Sequence, residues 1–146
     1  METLVNNSAA IIPLDPKDRV LLQRKDLGYL WGPGQWCLFG GKIEDGENLN
    51  GIDTLLRETK EEIGIFLEGV KLFGSFPYSN SIPSKKLIRR GNMLVYSGRF
   101  DGDLRKIKLG EGAGFSLYEE EEIYSLNMIP HDKDILLEFY KSIRNR

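Results

Sequence analysis

The 146 residues are ordered in a way compatible with an α/β domain, and three observations bear on that expectation. Short apolar segments bounded by turn residues recur along it, as strands do. A helical segment with an apolar face lies in its first half. An amphipathic helix closes it. The length suits one ordinary hydrophobic core, so residues 1–146 are expected to form a single domain. No repeat, low-complexity segment or linker interrupts the order.

Ser8 to Leu14 is small and apolar and predicts a buried strand. Asp15-Pro16-Lys17-Asp18 is a turn, and Val20 to Arg24 pairs back as the second arm of a hairpin. Gly28 to Gln35, with Gly32, Pro33 and Gly34, is loop. Trp36 to Phe39 is a short strand entering Gly40-Gly41, where a tight turn with φ > 0 and close backbone approach are available. Asn50 is the expected N-cap, with Asp53 as its capping-box partner, of a helix from about Gly51 to Ile63. Ile52, Leu55, Leu56 and Ile63 form its apolar face, and Gly64 its left-handed end. Ile65 to Leu67 and Val70 to Phe76 read as extended, and Tyr78 to Arg90 as a Ser-, Pro- and Lys/Arg-rich loop. Asn92 to Phe100 is a strand, and Asp101-Gly102 signals a hairpin into Asp103 to Leu109. Phe115 to Leu117 is extended. Ser116 with Glu119 predicts a capping box, placing Glu119 to Glu122 at a helix N-terminus, where acids are stabilising. Pro130 opens the last helix, with Ile135, Leu136, Phe139 and Ile143 on its apolar side. His131, the only histidine, reads as a surface or capping residue.

Composition excludes several classes of function. A net charge of −2 and a pI near 5.5 argue against general affinity for nucleic acid or anionic membranes. No run of eighteen apolar residues is present, and no secretory signal is visible at the N-terminus. The single Cys37 cannot form an internal disulfide and fits a reducing cytoplasm, where it reads as a small buried hydrophobe.

Glu58, Glu61 and Glu62 stand at i, i+3 and i+4, so an α-helix places them on one face. They also sit in the last turns, where the helix dipole is negative and like charges repel. Three oxygen-rich acids in an unfavourable place suit a hard cation such as Mg²⁺. The alternative is a solvated acidic face partly neutralised by Arg57 and Lys60.

From Gly41 through Glu47, Arg57, Glu58, Glu61, Glu62, Gly64 and Ile65, the segment resembles the Nudix box of the MutT-like hydrolases. That pattern is G-x5-E-x7-R-E-U-x-E-E-x-G-U, with U aliphatic. Here nine residues separate Glu47 from Arg57, and Thr59 takes an aliphatic position. The helix cap expected at Asn50 assigns the two extra residues, Asn48 and Leu49, to the preceding loop. The resemblance implies a mixed β-sheet sandwiched between α-helices. It also implies that the Gly40 carbonyl joins Glu58, Glu61 and Glu62 in holding Mg²⁺, or Mn²⁺ in its place. Glu47 would brace the loop through Arg57. The reaction implied is hydrolysis of a nucleoside diphosphate linked to another group, with a nucleoside triphosphate, ordinary or modified, as the leading substrate. A nucleotide sugar, ADP-ribose, a dinucleoside polyphosphate, or a nucleotide-binding module without hydrolysis are the alternatives. A homodimer is compatible with the sequence.

Beyond that segment, Glu111 sits in a Gly-Glu-Gly turn that would let a carboxylate reach the site as a further ligand or general base. An ordinary polar turn is the competing reading. Arg24, at a strand end, could grip a phosphate bidentately or be an edge charge. Trp36, Phe39 and Tyr78 offer surface for a base, with Gly41 beside them, although each aromatic also reads as core. Lys85, Lys86, Arg89 and Arg90 form a basic stretch that reads as solvated.

Overall fold

The computed structural model describes residues 2–28, 32–43, 51–107 and 114–145, with the side chains of all but Thr54 and Glu62. Among the described residues, eight strands form one mixed sheet: β1 (Glu2–Val5), β2 (Ser8–Leu14), β3 (Val20–Arg24), β4 (Trp36–Cys37), β5 (Phe39–Lys42), β6 (Glu68–Ile82), β7 (Leu87–Arg99) and β8 (Gly114–Tyr118). Helices α1 (Ile52–Glu58) and α3 (Pro130–Arg144) pack on it, with the short α2 (Glu120–Ile123) beside α3.

β2 is buried along its whole length because both faces of the sheet are covered there. Ala10, Ile12 and Leu14 face Ile135, Leu136 and Phe139 of α3. Ala9 and Ile11 face Leu55 of α1 and Ile63. Each fully buried Ile or Leu contributes roughly 1.5–3 kcal/mol, so these two layers fix the helices on opposite sides of the strand.

The sheet forks beside β2. On one edge β2 pairs in parallel with β7, from Ser8↔Met93 to Leu14↔Arg99. On the other, β5 takes Ser8 to Ile11, while β3 meets β2 only at Leu14↔Val20 and then diverges toward β8 and β4. Leu38 lies where the chain passes from β3's side to β2's. Its N–H is taken by Asp132 Oδ2 at 3.0 Å.

Four local expectations are corrected. Tyr78 to Arg90 is not a loop: β6 and β7 continue as a long hairpin around a 3₁₀ turn at Pro83–Lys85, and β1 adds a third strand in parallel to Leu87 through Arg90. Ladder pairing outweighs the turn-like composition. Asp101-Gly102 does not open a hairpin. Asp101 accepts the Asp103 N–H and Asp103 accepts that of Arg105, and these side-chain bonds wind Leu104–Lys106 into a 3₁₀ turn. The box before α2 is built by Glu119 and Glu122, while Ser116 lies within β8. Gly51, at φ 66°, is the N-cap of α1 and makes no side-chain cap; Asn50 lies outside the described residues.

Candidate functional site

The fork opens a cleft of about 290 Å³. Its walls come from the β4–β5 segment, the end of α1, the β6–β7 hairpin and the start of α3. Of the residues singled out from sequence, Phe39, Gly40, Gly41, Glu58 and Tyr78 line it. Trp36 and Arg24 do not. Trp36 packs edge-to-face on Tyr118 with ring centres 5.1 Å apart, and hydrogen-bonds with Asn127 and Ile129 through its backbone. Arg24 stands exposed at the end of β3, while its neighbours Gln23 and Lys25 line the cleft. Glu47 and Glu111 lie outside the described residues, as does the side chain of Glu62.

The two glycines of β5 act by close approach. Neither has the positive φ expected of a turn. A Cβ on Gly40 would overlap the Ala9 carbonyl oxygen and come within 2.9 Å of Ala10 Cα. A Cβ on Gly41 would stand 3.4 Å from Glu58 Oε2, an ordinary contact, so the Glu58 carboxylate lies beside this strand.

Strand geometry also aims the Gly40 carbonyl. Antiparallel residues alternate between hydrogen-bonded and non-bonded pairs. Ile43 donates its N–H to the Asn7 carbonyl at 2.8 Å, which makes Asn7/Ile43 and Ala9/Gly41 bonded pairs. Gly40, opposite Ala10, therefore turns its carbonyl away from β2, toward the side of β5 on which no described strand pairs.

α1 does not continue as a regular α-helix through the acids. Thr59–Ile63 is one π-helical turn, closed by Gly64 N–H to Thr59 O at 3.1 Å with Gly64 at φ 81°. Thr59 is buried, and its Oγ1 donates to the Leu55 carbonyl at 2.6 Å. That bond satisfies a hydroxyl standing in an apolar layer. The wider turn alters the angle between Glu58 and Glu61 from its α-helical value. Glu58 faces the cleft, whereas Glu61 and Arg57 are exposed and do not line it. Among the described residues, no three acid, His or Cys side chains converge as a metal site. The oxygen donors present, Glu58 and the outward Gly40 carbonyl, fit a hard cation in kind.

Other residues in the cleft carry no motif. Lys25, Lys42 and Arg89 bring positive charge, and Asn6, Ser8 and Asn80 bring neutral polar groups; Arg89, expected in a solvated stretch, is instead half-buried because β7 carries it into the cleft wall. Tyr78 is 7% exposed, gives its hydroxyl to the Asn6 carbonyl, and has the Arg89 guanidinium 5.3 Å from its ring centre. It forms wall more than open stacking surface. His131 is half-buried, contrary to a surface role. Its Nε2 donates to the Pro77 carbonyl at 3.0 Å, and its Nδ1 lies 3.6 Å from Asp132 Oδ1. The Asp132 carboxylate beside it raises the pKa of His131, with Pro77 assisting and burial opposing. At 3.6 Å this is charge pairing, too long for a hydrogen bond. Burial, with Asp132 adding to it, pushes the Cys37 thiol up to about 12, which fits the inert hydrophobe expected.

Comparisons place the chain. The NUDIX domain model matches residues 5–139. The uncharacterized Nudix hydrolase YvcI of Bacillus subtilis is 27% identical over 135 residues, covering 84% of this chain and 72% of its own. Nudix hydrolase 3 of Caenorhabditis elegans is 36% identical over 64 residues, 44% of this chain; that stretch is 26% of the relative's length. Among solved structures, the MutT protein of Methanosarcina mazei superposes with a TM-score of 0.76 at 20% identity, covering 100% of this chain and 99% of its own. A C. elegans Ap4A hydrolase binary complex gives 0.69 at 17%, covering 97% and 99%. These likenesses establish the fold, a mixed sheet between helices. With the family model matched from Val5 through Phe139, they lead to one conclusion: the chain belongs to the Nudix hydrolase family.

Proposed function

We propose that this chain hydrolyses a nucleoside diphosphate linked to a further group, with a nucleoside triphosphate as its leading substrate and a nucleoside monophosphate and pyrophosphate as products. The observation that carries this reading is the approach of Glu58 to the bare backbone of Gly41, beside a Gly40 carbonyl turned off the sheet edge. The Gly40 carbonyl, Glu58, Glu61, Glu62 and Glu111 would hold Mg²⁺, with Mn²⁺ as a substitute. The bound cation supplies charge neutralisation on the diphosphate and activation of water. Arg57 would hold Glu47 and so brace the loop between β5 and α1. Lys25 and Lys42 line the same cleft and would draw the phosphate chain into it by charge. Water adds at phosphorus, the anhydride P–O bond breaks, and Glu111 is the proposed acceptor of the water's proton. The cytoplasm, reducing enough for a lone thiol, is the proposed compartment.

The test is a panel of nucleoside triphosphates, nucleotide sugars, ADP-ribose and dinucleoside polyphosphates, each with Mg²⁺ and with Mn²⁺. Phosphate and pyrophosphate are detected separately. Cation-dependent pyrophosphate release that Glu58→Gln abolishes supports the reading. Binding without turnover of any panel member would replace it with a nucleotide-binding module.

A further inference from the structure

Thr59 stands where the Nudix pattern carries an aliphatic residue, at the junction between α1 and the π turn that follows it. It is 3% exposed and lies one turn from both Leu55 and Ile63, which pack against β2. Valine has the shape and the apolar surface for such a place. What threonine adds is a hydroxyl, and that hydroxyl donates to the Leu55 carbonyl at 2.6 Å. The same carbonyl also takes the Thr59 backbone N–H, which it shares with the Leu56 carbonyl. A carbonyl serving two donors of one residue is drawn out of the regular ladder, and such back-bonding bends helices. The α-helical ladder ends at this residue. From Thr59 to Ile63 the chain makes the π turn closed by Gly64 N–H to Thr59 O.

The turn re-spaces the acids. An α-helix advances roughly 100° per residue and a π turn roughly 80°. Over the three steps from Glu58 to Glu61, their separation around the axis therefore grows from about 60° to about 120°. This accounts for a carboxylate that lines the cleft at Glu58 and one that stands exposed and outside it at Glu61. The same arithmetic moves Ile63 from about 80° away from Leu55 to nearly in line with it. Burial of Ile63 is thus the rival cause of the turn. The two causes differ in one atom, because only the first needs Thr59 Oγ1.

We infer that Thr59 is a positioning residue of the hydrolytic site: its hydroxyl selects the π turn, and the turn holds Glu61 at a wide angle to Glu58. This rests on the reading that Glu58 helps to hold a divalent cation. The spacing of negative charge around that cation is then set by a side chain whose hydroxyl is bound within the helix.

The experiment compares the full wild-type chain with Thr59→Val, which exchanges the hydroxyl for a methyl, and Thr59→Ser, which keeps it. In metal-free buffer, the NMR coupling across the hydrogen bond from the Gly64 amide nitrogen to the residue-59 carbonyl carbon reads the π turn directly. It should be present in the wild type and Thr59→Ser and absent in Thr59→Val. Mn²⁺ alone is then titrated, with the free ion counted by electron paramagnetic resonance. Thr59→Val should bind it several-fold tighter, because Glu61 swings toward Glu58 and adds its charge to the same cation. Thr59→Ser should match the wild type. Pyrophosphate release, measured in parallel, should fall in Thr59→Val and not in Thr59→Ser. A coupling that persists in Thr59→Val, or one that is lost in Thr59→Ser, overturns the inference. Should Thr59→Val not fold, Thr59→Ala lacks the same hydroxyl and answers in its place. A wild-type chain that binds no Mn²⁺ removes the cation reading and the inference with it, whereas wild-type binding that Thr59→Val leaves unchanged removes the inference alone.

Discussion

Gly40 and Gly41 are neighbours of one residue type in one strand, yet replacing each with Ala should do opposite things. At Gly40 the added methyl would overlap the Ala9 carbonyl oxygen and approach Ala10 Cα to 2.9 Å. Both are backbone atoms of the central strand, held on their other edge by β7, and cannot yield as a side chain can. Forcing an extra methyl into a packed site costs roughly 1–3 kcal/mol, offset by about 0.4–1 kcal/mol from the stiffer unfolded chain. The net loss of about 1–2 kcal/mol corresponds to a fall in Tm of about 2–8 °C at this chain length. At Gly41 the nearest atom is Glu58 Oε2 at 3.4 Å, an ordinary contact, and φ is not positive. Gly41→Ala should therefore melt at or slightly above the wild-type temperature. Its methyl nevertheless stands against the carboxylate proposed to hold the cation, and activity should fall on the order of 10- to 100-fold, as for a displaced reacting group. Thermal melts in EDTA and pyrophosphate release with Mg²⁺ measure the two effects separately. A Gly40→Ala protein that melts with the wild type, or a Gly41→Ala protein that loses as much stability as Gly40→Ala, would refute the reasoning.

Four further outcomes are expected. Glu58→Gln should abolish cation-dependent hydrolysis while leaving the melting temperature in EDTA equal or higher, because the acid lies near the negative end of a helix; a clear loss of stability in EDTA would make Glu58 a structural residue. Thr59→Val removes a hydroxyl whose acceptor, the Leu55 carbonyl, still receives the Thr59 backbone N–H, so urea unfolding should show no loss or a gain of up to about 1 kcal/mol. Because Asp132 raises the pKa of His131 above 6.5, protonated His131 contributes stability in full below that value and loses it as pH rises through the raised one. The Tm difference between wild type and His131→Gln should shrink across that interval, and a constant difference would count against the pairing. Cys37, with its thiol pushed up to about 12, should resist alkylation in the native protein and react once unfolded.

The sequence made the two core-facing helices and the central strands legible because their apolar periodicity is strong and local. Ile135, Leu136 and Phe139 repeat on a helical period, and Ser8 to Leu14 has no polar interruption beyond its first residue. The β6–β7 hairpin was not legible. Ser79, Asn80 and Ser81 are turn formers, and their extended state depends on partners at Ile88–Arg90 and, through these, at the β1 strand. The acids of the family motif were legible as a motif, but their geometry was not. The π-helical turn reflects a bond from Gly64 to Thr59, which residue spacing does not encode. Asp132 was hidden for a different reason. An acid two residues after a helix-opening proline reads as an ordinary favourable charge, and only the fork in the sheet gives it a cleft to face.

That fork has a consequence for the order of events during folding. β2 lies near the start of the sequence, yet its longest pairing is with β7, and the hydrogen bond from Asn92 to Asn7 spans 85 residues. Such a ring of chain must close before its contacts return any stability, and closing it slows the search. On the ribosome, β2 and β3 would emerge as a hairpin joined at a single register pair, with the broad apolar flank of β2 waiting for its partner. A nascent chain stopped before Met93 should remain protease-sensitive and bound by chaperones, and one released with α3 complete should become resistant in a single step.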